Sequence, residues 1–343
     1  MKKDTAVAPT HVFFLVTVFY LQGFLRAGAA DRLAMGWMVW LALGALSVLI
    51  TALILHLAGN MTGQMLFPDI LGRQAGALAS ATLSVYGAVL AAGAIRSFAD
   101  FMIVNELNAA GRLGNAILIG CAAFVLLGGN ATLFRTAWIF QPLITGALLL
   151  SVCFTLPHAR LENLPPLMIE KGPELLQAGA KEMLRFLPPV IYPLLAVSER
   201  GRVPVKKAAL LAGPAAFLLL AVLHIRNIAV LGYPTVTIFR YPAYVAAGIR
   251  RHSEALVSSS FALCQVFFAA ACLQFVTDRL ENRVFRKPAA GAAASCLAAF
   301  AVSFIPDGIG ESLRLIFGAA VLLLLLLADT VRLLHTRRNR HGM

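Results

Sequence analysis

Ten stretches of mostly apolar residues follow one another along the chain, separated by short clusters of charge, proline and glycine. They fall at 11–25, 35–58, 76–104, 113–127, 134–156, 178–197, 207–231, 255–277, 288–305 and 313–333. A helix that crosses a bilayer needs about 20 apolar residues, within a range of roughly 17–25. The pattern therefore predicts about ten membrane-spanning helices in a single polytopic domain covering residues 1–343. The first and fourth spans are short, and the third is long enough to tilt. Two longer connections, 157–177 and 232–254, are rich in proline and mixed in polarity, and short capping helices or re-entrant pieces are expected there.

Composition strengthens this picture. The chain is 59% hydrophobic and only 13% charged, with a mean hydropathy of +0.80. A water-soluble domain runs nearer a quarter charged. The formal net charge of +13 could serve nucleic acid, but its distribution fits membrane topology better. With a cytoplasmic amino terminus, sixteen Lys and Arg fall on the inner side, nine on the outer side and four within spans. That bias is the positive-inside rule. It predicts both termini in the cytoplasm, a short polar leader at 1–10, a basic tail at 334–343 and no nucleic-acid partner. The first apolar run lacks a small-residue cleavage site and reads as a retained span.

Polar residues inside such spans face a cavity or a partner, because lipid leaves them unsatisfied. In the first span, "VTVFYLQGFLRAG" brings Tyr20, Gln22 and Gly23 together, where a ligand contact and ordinary helix packing are equally consistent. The third span holds Tyr86 and an i,i+4 pair, Arg96 and Asp100, read as mutual neutralisation. The sixth span, "KEMLRFLPPVIYPLLAV", carries Pro188 and Pro189. They lack N–H groups and their rings clash with the preceding turn, so carbonyls around Arg185 lose their helical partners. Backbone freed at membrane depth is tolerated where it is buried in protein or lines a watery cavity, and half-helix ends of this kind build the midplane sites of secondary transporters. Lys181 and Arg185 could attract a carboxylate there or reach to the interface. His224 and Arg226, late in the seventh span, are expected to snorkel or cap. Ser258, Ser259, Ser260, Cys264 and Gln265 lie in the eighth, where hydroxyls bond within or between helices or line a path.

Enzyme signatures are missing. There is no H-E-x-x-H, G-x-S-x-G or phosphate-binding loop, and no nucleophile stands beside a base at useful spacing. The five cysteines lie in apolar runs without a C-x-x-C pair, which favours helix contact over a metal or disulfide framework. Neither an enzyme nor a cofactor is expected.

Several stretches resemble the spore germination permeases, the B subunits of nutrient germinant receptors, which belong to the amino acid–polyamine–organocation superfamily. "THVFFLVTVFYLQ" resembles that family's opening helix, "GWMVWLALGALSVLITALILHLAG" its aromatic-headed second helix, and "FPDILGRQAGALASATLSVYGAVLAAGAIRSFADFM" its following loop and helix. "NLPPLMIEKGPELLQAG" and "LGYPTVTIFRYPAYVAAGIRRHSEALV" carry the most specific order and spacing. The resemblance implies an all-α fold of ten helices in two five-helix inverted repeats, with helices 1 and 6 broken at a ligand pocket. It implies binding of a small nutrient, above all an amino acid, and signalling to A-type and lipoprotein C-type subunits in the spore inner membrane. Tyr20, Gln22, Gly23, Tyr86, Arg185, Pro188, Pro189, Tyr192 and Gln265 are the candidate pocket residues. Two charges common in the family, a carboxylate after the helix-6 proline and a lysine late in helix 8, are replaced here by the Pro189–Ile191 run and by the neighbourhood of Phe268. The rival reading is a secondary active amino acid transporter, and a structural scaffold is a third.

Overall fold

A computed structural model of the chain describes residues 8–26, 36–58, 72–104, 118–123, 128–164, 172–187, 204–250 and 253–281, with scattered positions between 296 and 331. Among the described residues the fold is entirely helical. The helices are α1 (Pro9–Leu21), α2 (Trp37–Ala58), α3 (Arg73–Val104), α4 (Gly129–Thr155), α5 (Gly172–Phe186), α6 (Pro204–Leu231), α7 (Tyr233–Ile238), α8 (Pro242–Gly248) and α9 (Ser253–Glu281). Two single 3-10 turns, Leu156–His158 and Leu161–Asn163, follow α4.

Four segments are long and apolar enough to cross a membrane: Gln74–Val104, Thr132–His158, Lys207–Leu231 and Ser253–Thr277. Pro9–Leu21 and Trp37–Leu53 are apolar but shorter. They correspond to the third, fifth, seventh and eighth predicted spans and to the first and second. Residues 118–123 and the scattered positions beyond 296 are helical too, within the fourth, ninth and tenth predicted spans. Most of those spans, and the leader and basic tail, lie outside the described residues. The 32-residue α3 is about 48 Å long at 1.5 Å per residue, longer than a hydrocarbon core of about 30 Å, so it tilts or extends beyond it.

Burial places α1 at the centre. Every residue from Leu15 to Leu25 is buried. A helix that is apolar all round must be surrounded, and α1 packs against α6 and α4, with α9 on a further side. Around this axis α9 packs on α3 and α4, and α2 bridges α5 and α6. Pro142 and Pro214 sit inside α4 and α6 on exposed positions, where the helices continue past them. The exposed faces carry Leu143, Leu149, Leu211 and Leu218, as expected where lipid is the solvent.

Small residues set the close approaches. A Cβ on Gly44 of α2 would lie 2.6 Å from Phe217 Cε2 of α6. The Phe217 ring has little room to yield, being stacked on Trp40 and edge-on to Phe186. Gly44→Ala is therefore expected to destabilise the protein by about 1–3 kcal/mol through overpacking, read as a lowered midpoint of thermal unfolding in detergent. At the far end of α6, Gly232 adopts φ +79°, a region that favours glycine. Its N–H donates to Ile228 O at 2.8 Å, and the chain turns directly into α7.

The sequence pattern misjudges two boundaries. The sixth span was expected from 178, but α5 begins at Gly172, inside the predicted connection. Pro173 is the reason: proline suits the first turn of a helix and Glu174 follows it there, where negative charge is favoured. The first span was expected to run to 25, but α1 ends at Leu21. The two connections do hold short helices: the 3-10 turns in the first, α7 and α8 in the second.

Candidate functional site

Where α1 stops, the chain tightens instead of continuing. Gln22 N donates to Val18 O, but Phe24 N and Arg26 N donate to Leu21 O and Gly23 O, three residues back. The i→i+3 pattern draws the carbonyls of this turn off the helical ladder. They are met by side chains from two other helices. Gln265 of α9 donates through Nε2 to Gln22 O at 2.5 Å. Arg185, at the end of α5, donates through Nη2 to Gly23 O at 2.6 Å and to Arg26 O at 3.4 Å.

Gly23 permits that second contact. A Cβ there would lie 3.1 Å from Arg185 Nε, so alanine needs the arginine to give slightly and a larger side chain would push the guanidinium off the backbone. On its other side Arg185 pairs with Glu182, one turn earlier, at 3.7 Å between Nη1 and Oε2. Glu182 is 1% exposed. A carboxylate removed from water to that degree needs a cation close by. His224 lies within electrostatic reach of both residues and stacks on Trp40, with ring centroids 4.1 Å apart. His224 and Arg226 were expected to snorkel or cap; both are buried instead, because α6 is enclosed by its neighbours at that level.

The end of α5 is held from α2. Thr51 Oγ1 lies 3.0 Å from Phe186 O, one of the carbonyls that α5 leaves open, and shares its one proton between it and Ser47 O at 2.8 Å. The Tyr20 ring lies 6.1 Å from the Phe186 ring. Two helix ends, at Gln22–Arg26 and at Arg185–Phe186, thus meet through Arg185, with Gln265 of α9 on the first and Thr51 of α2 on the second. Tyr20 Oη and Gln265 Oε1 are buried there without a hydrogen-bond partner among the described residues. A hydroxyl can donate or accept and an amide oxygen can accept, so the junction offers both kinds of contact to a small polar molecule.

A second polar cluster ties down the stretch just past the α1 end. Asp100 of α3 pairs with Arg240 at 2.8 Å and with Arg26 at 3.6 Å. The pairing of Asp100 was expected with Arg96 in its own helix; the ion pairs seen run to Arg240, between α7 and α8, and to Arg26, beyond the end of α1. Phe101 packs edge-on to Tyr241, Tyr244 and Phe261, and Phe24 packs on Phe261. These contacts form an aromatic layer beside the ion pairs.

Of the residues singled out by sequence, Tyr20, Gln22, Gly23, Arg185 and Gln265 converge. Tyr86 is buried on α3, next to Gly87, which lies against Phe275 and the Cys272 carbonyl of α9. Pro188, Pro189 and Tyr192 lie outside the described residues. The hydroxyls of Ser258, Ser259 and Ser260 bond to carbonyls of α9 itself. Glu182, Thr51 and the Arg26–Asp100–Arg240 group were not foreseen. Glu182 had a signal, an acid three residues before Arg185 at the spacing of a helical ion pair.

A family model described as "Spore germination protein" matches residues 6–246. The chain belongs to the spore germination protein family. The match takes in both helix ends and the Asp100 cluster, while Gln265 lies beyond it. A comparison with curated proteins finds no match. Membership and the membrane-length apolar helices together make this a membrane protein of spore germination.

Proposed function

We propose that the chain is a nutrient-binding, B-type subunit of a germinant receptor. Its full architecture on this reading is ten helices in two inverted repeats, with both termini cytoplasmic, in the spore inner membrane. A small nutrient, above all an amino acid, enters from the outer side and docks at the junction of the two interrupted helices. The observation that carries the reading is the meeting of the α1 and α5 ends through Arg185, with Gln265 on the neighbouring Gln22 carbonyl and Tyr20 Oη and Gln265 Oε1 buried without partners among the described residues. On this reading Pro188, Pro189 and Tyr192, which lie outside the described residues, and Tyr86 of α3 are retained as candidate pocket residues. The Arg185 guanidinium is engaged by backbone carbonyls, so its role on this reading is to hold the break in shape, with substrate contacts falling to its neighbours.

Occupancy shifts the protein between two arrangements only by the difference in affinity for them. The A-type and lipoprotein C-type subunits read that shift. The alternative, a secondary active amino acid transporter, uses the same junction and differs in outcome. The test is a panel of radiolabelled amino acids on the purified protein in proteoliposomes. Saturable binding without accumulation is expected. Accumulation driven by a sodium or proton gradient would establish the transporter, and no saturable binding by any member of the panel would remove the nutrient-binding role.

A further inference from the structure

Arg226 lies on α6, and it is only 3% exposed. Its Nε, Nη1 and Nη2 are all buried without an acceptor among the described residues. Arginine does not shed its proton to escape such a setting, and an unpaired buried charge is strongly unfavourable. The usual occupations for an arginine near a helix end are already filled. Ile228 O accepts from Gly232 N, and Ala229 O accepts from Arg160 N and from Asn163 Nδ2 at 2.9 Å. Exposure of 3% rules out snorkelling. Glu254 also has a buried oxygen without a donor, yet no hydrogen bond or ion pair joins it to Arg226.

We propose that Arg226 anchors a binding site for one oxyanion, a carboxylate or a phosphate, at the α6 C-terminal end of the bundle. The guanidinium presents five N–H donors in a planar fork that matches two oxygens of such a group, whereas a spherical halide would use the fork poorly. The site is separate from the nutrient junction. Arg226 follows Gly213, which faces Tyr20, by thirteen residues, or about 20 Å of helix. It also points roughly 200° away from His224 around α6, so it does not share the Glu182–Arg185–His224 cluster. Its place, under two turns from Leu231, puts it near the end of a membrane-length helix, where both soluble anions and lipid headgroups are at hand.

The test is thermal unfolding of the full chain in detergent, in chloride, in added phosphate or sulfate, and in mixed micelles carrying phosphatidylglycerol or phosphatidylcholine. The wild-type midpoint is expected to rise saturably, by several degrees, with the inorganic oxyanions or with the anionic lipid. A rise with lipid alone identifies a headgroup as the source, and a rise with the inorganic ions identifies a soluble anion. Arg226→Met is expected to match or exceed the wild type in chloride, having lost an unpaired charge, and to show no rise with either. Native mass spectrometry of the wild type should retain one added anion or lipid, which keeps the proposal open to test if the variant does not fold. A wild-type midpoint unmoved by every addition would overturn it. So would a loss of stability on Arg226→Met in chloride, since that marks a guanidinium already satisfied within the chain. The readout does not involve nutrient response, so either reading can fail alone.

Discussion

Gly23→Leu abolishes the response to nutrient while leaving the protein in the membrane. The half-maximal germinant concentration in spores is expected to rise at least about 100-fold, equivalent to about 2.7 kcal/mol, with membrane abundance changed less than about twofold. The magnitude follows from geometry. A Cβ at Gly23 would sit 3.1 Å from Arg185 Nε, and a leucyl side chain beyond it occupies the place of the guanidinium. Arg185 then loses Gly23 O and Arg26 O, and hydrogen bonds to a charged group are worth about 1.5–3 kcal/mol each. Gly23→Ala should produce a smaller shift, because the arginine can give by a few tenths of an ångström. A dose–response curve for Gly23→Leu that overlays the wild type would remove the junction from nutrient sensing. Lost abundance would show instead that the contact serves folding alone.

Arg185→Ala should act on stability as well as on response. It takes the guanidinium from Glu182, which is 1% exposed, and leaves two backbone carbonyls without their donor. Removing one partner of a buried pair is destabilising by about 3–5 kcal/mol. The expected result is a sharply lower unfolding midpoint in detergent. Arg185→Ala/Glu182→Gln, which also removes the stranded charge, should recover a large part of that loss. Nutrient response should stay impaired in both, since neither restores the donor to Gly23 O. If the double variant is no more stable than the single, the ion pair contributes little and the carbonyl contacts carry the whole effect.

The first half of this junction was legible in the sequence. Gln22-Gly23 inside an apolar run marks a weak helix, and α1 does end at Leu21. Arg185 ahead of two prolines marks another, and α5 ends at Phe186, before the first of them. What the one-dimensional pattern could not supply is which side chain satisfies which carbonyl. The Gln265–Gln22 and Arg185–Gly23 contacts span 243 and 162 residues of chain. Thr51 illustrates the same limit: a hydroxyl one turn after Ser47 in an apolar run reads as ordinary helix packing, and its contact with Phe186 O appears only once α2 lies beside α5. His224 and Arg226 were misread for a related reason. A charged residue near the end of a span snorkels when that face meets lipid, and periodicity does not reveal that neighbouring helices enclose it.

The column of rings between α2 and α6 has a mechanical consequence. Trp40 lies nearly parallel to His224 on one side and to Phe217 on the other, with interplanar angles of 17° and 14°. Gly44, one turn along, admits the edge of the same Phe217 ring. Sliding one helix past the other by a single residue, about 1.5 Å, would disturb all three contacts together. These two helices therefore behave as a keyed shaft, and because Thr51 and the Phe217 ring both grip Phe186, the last turn of α5 is locked to that shaft as well.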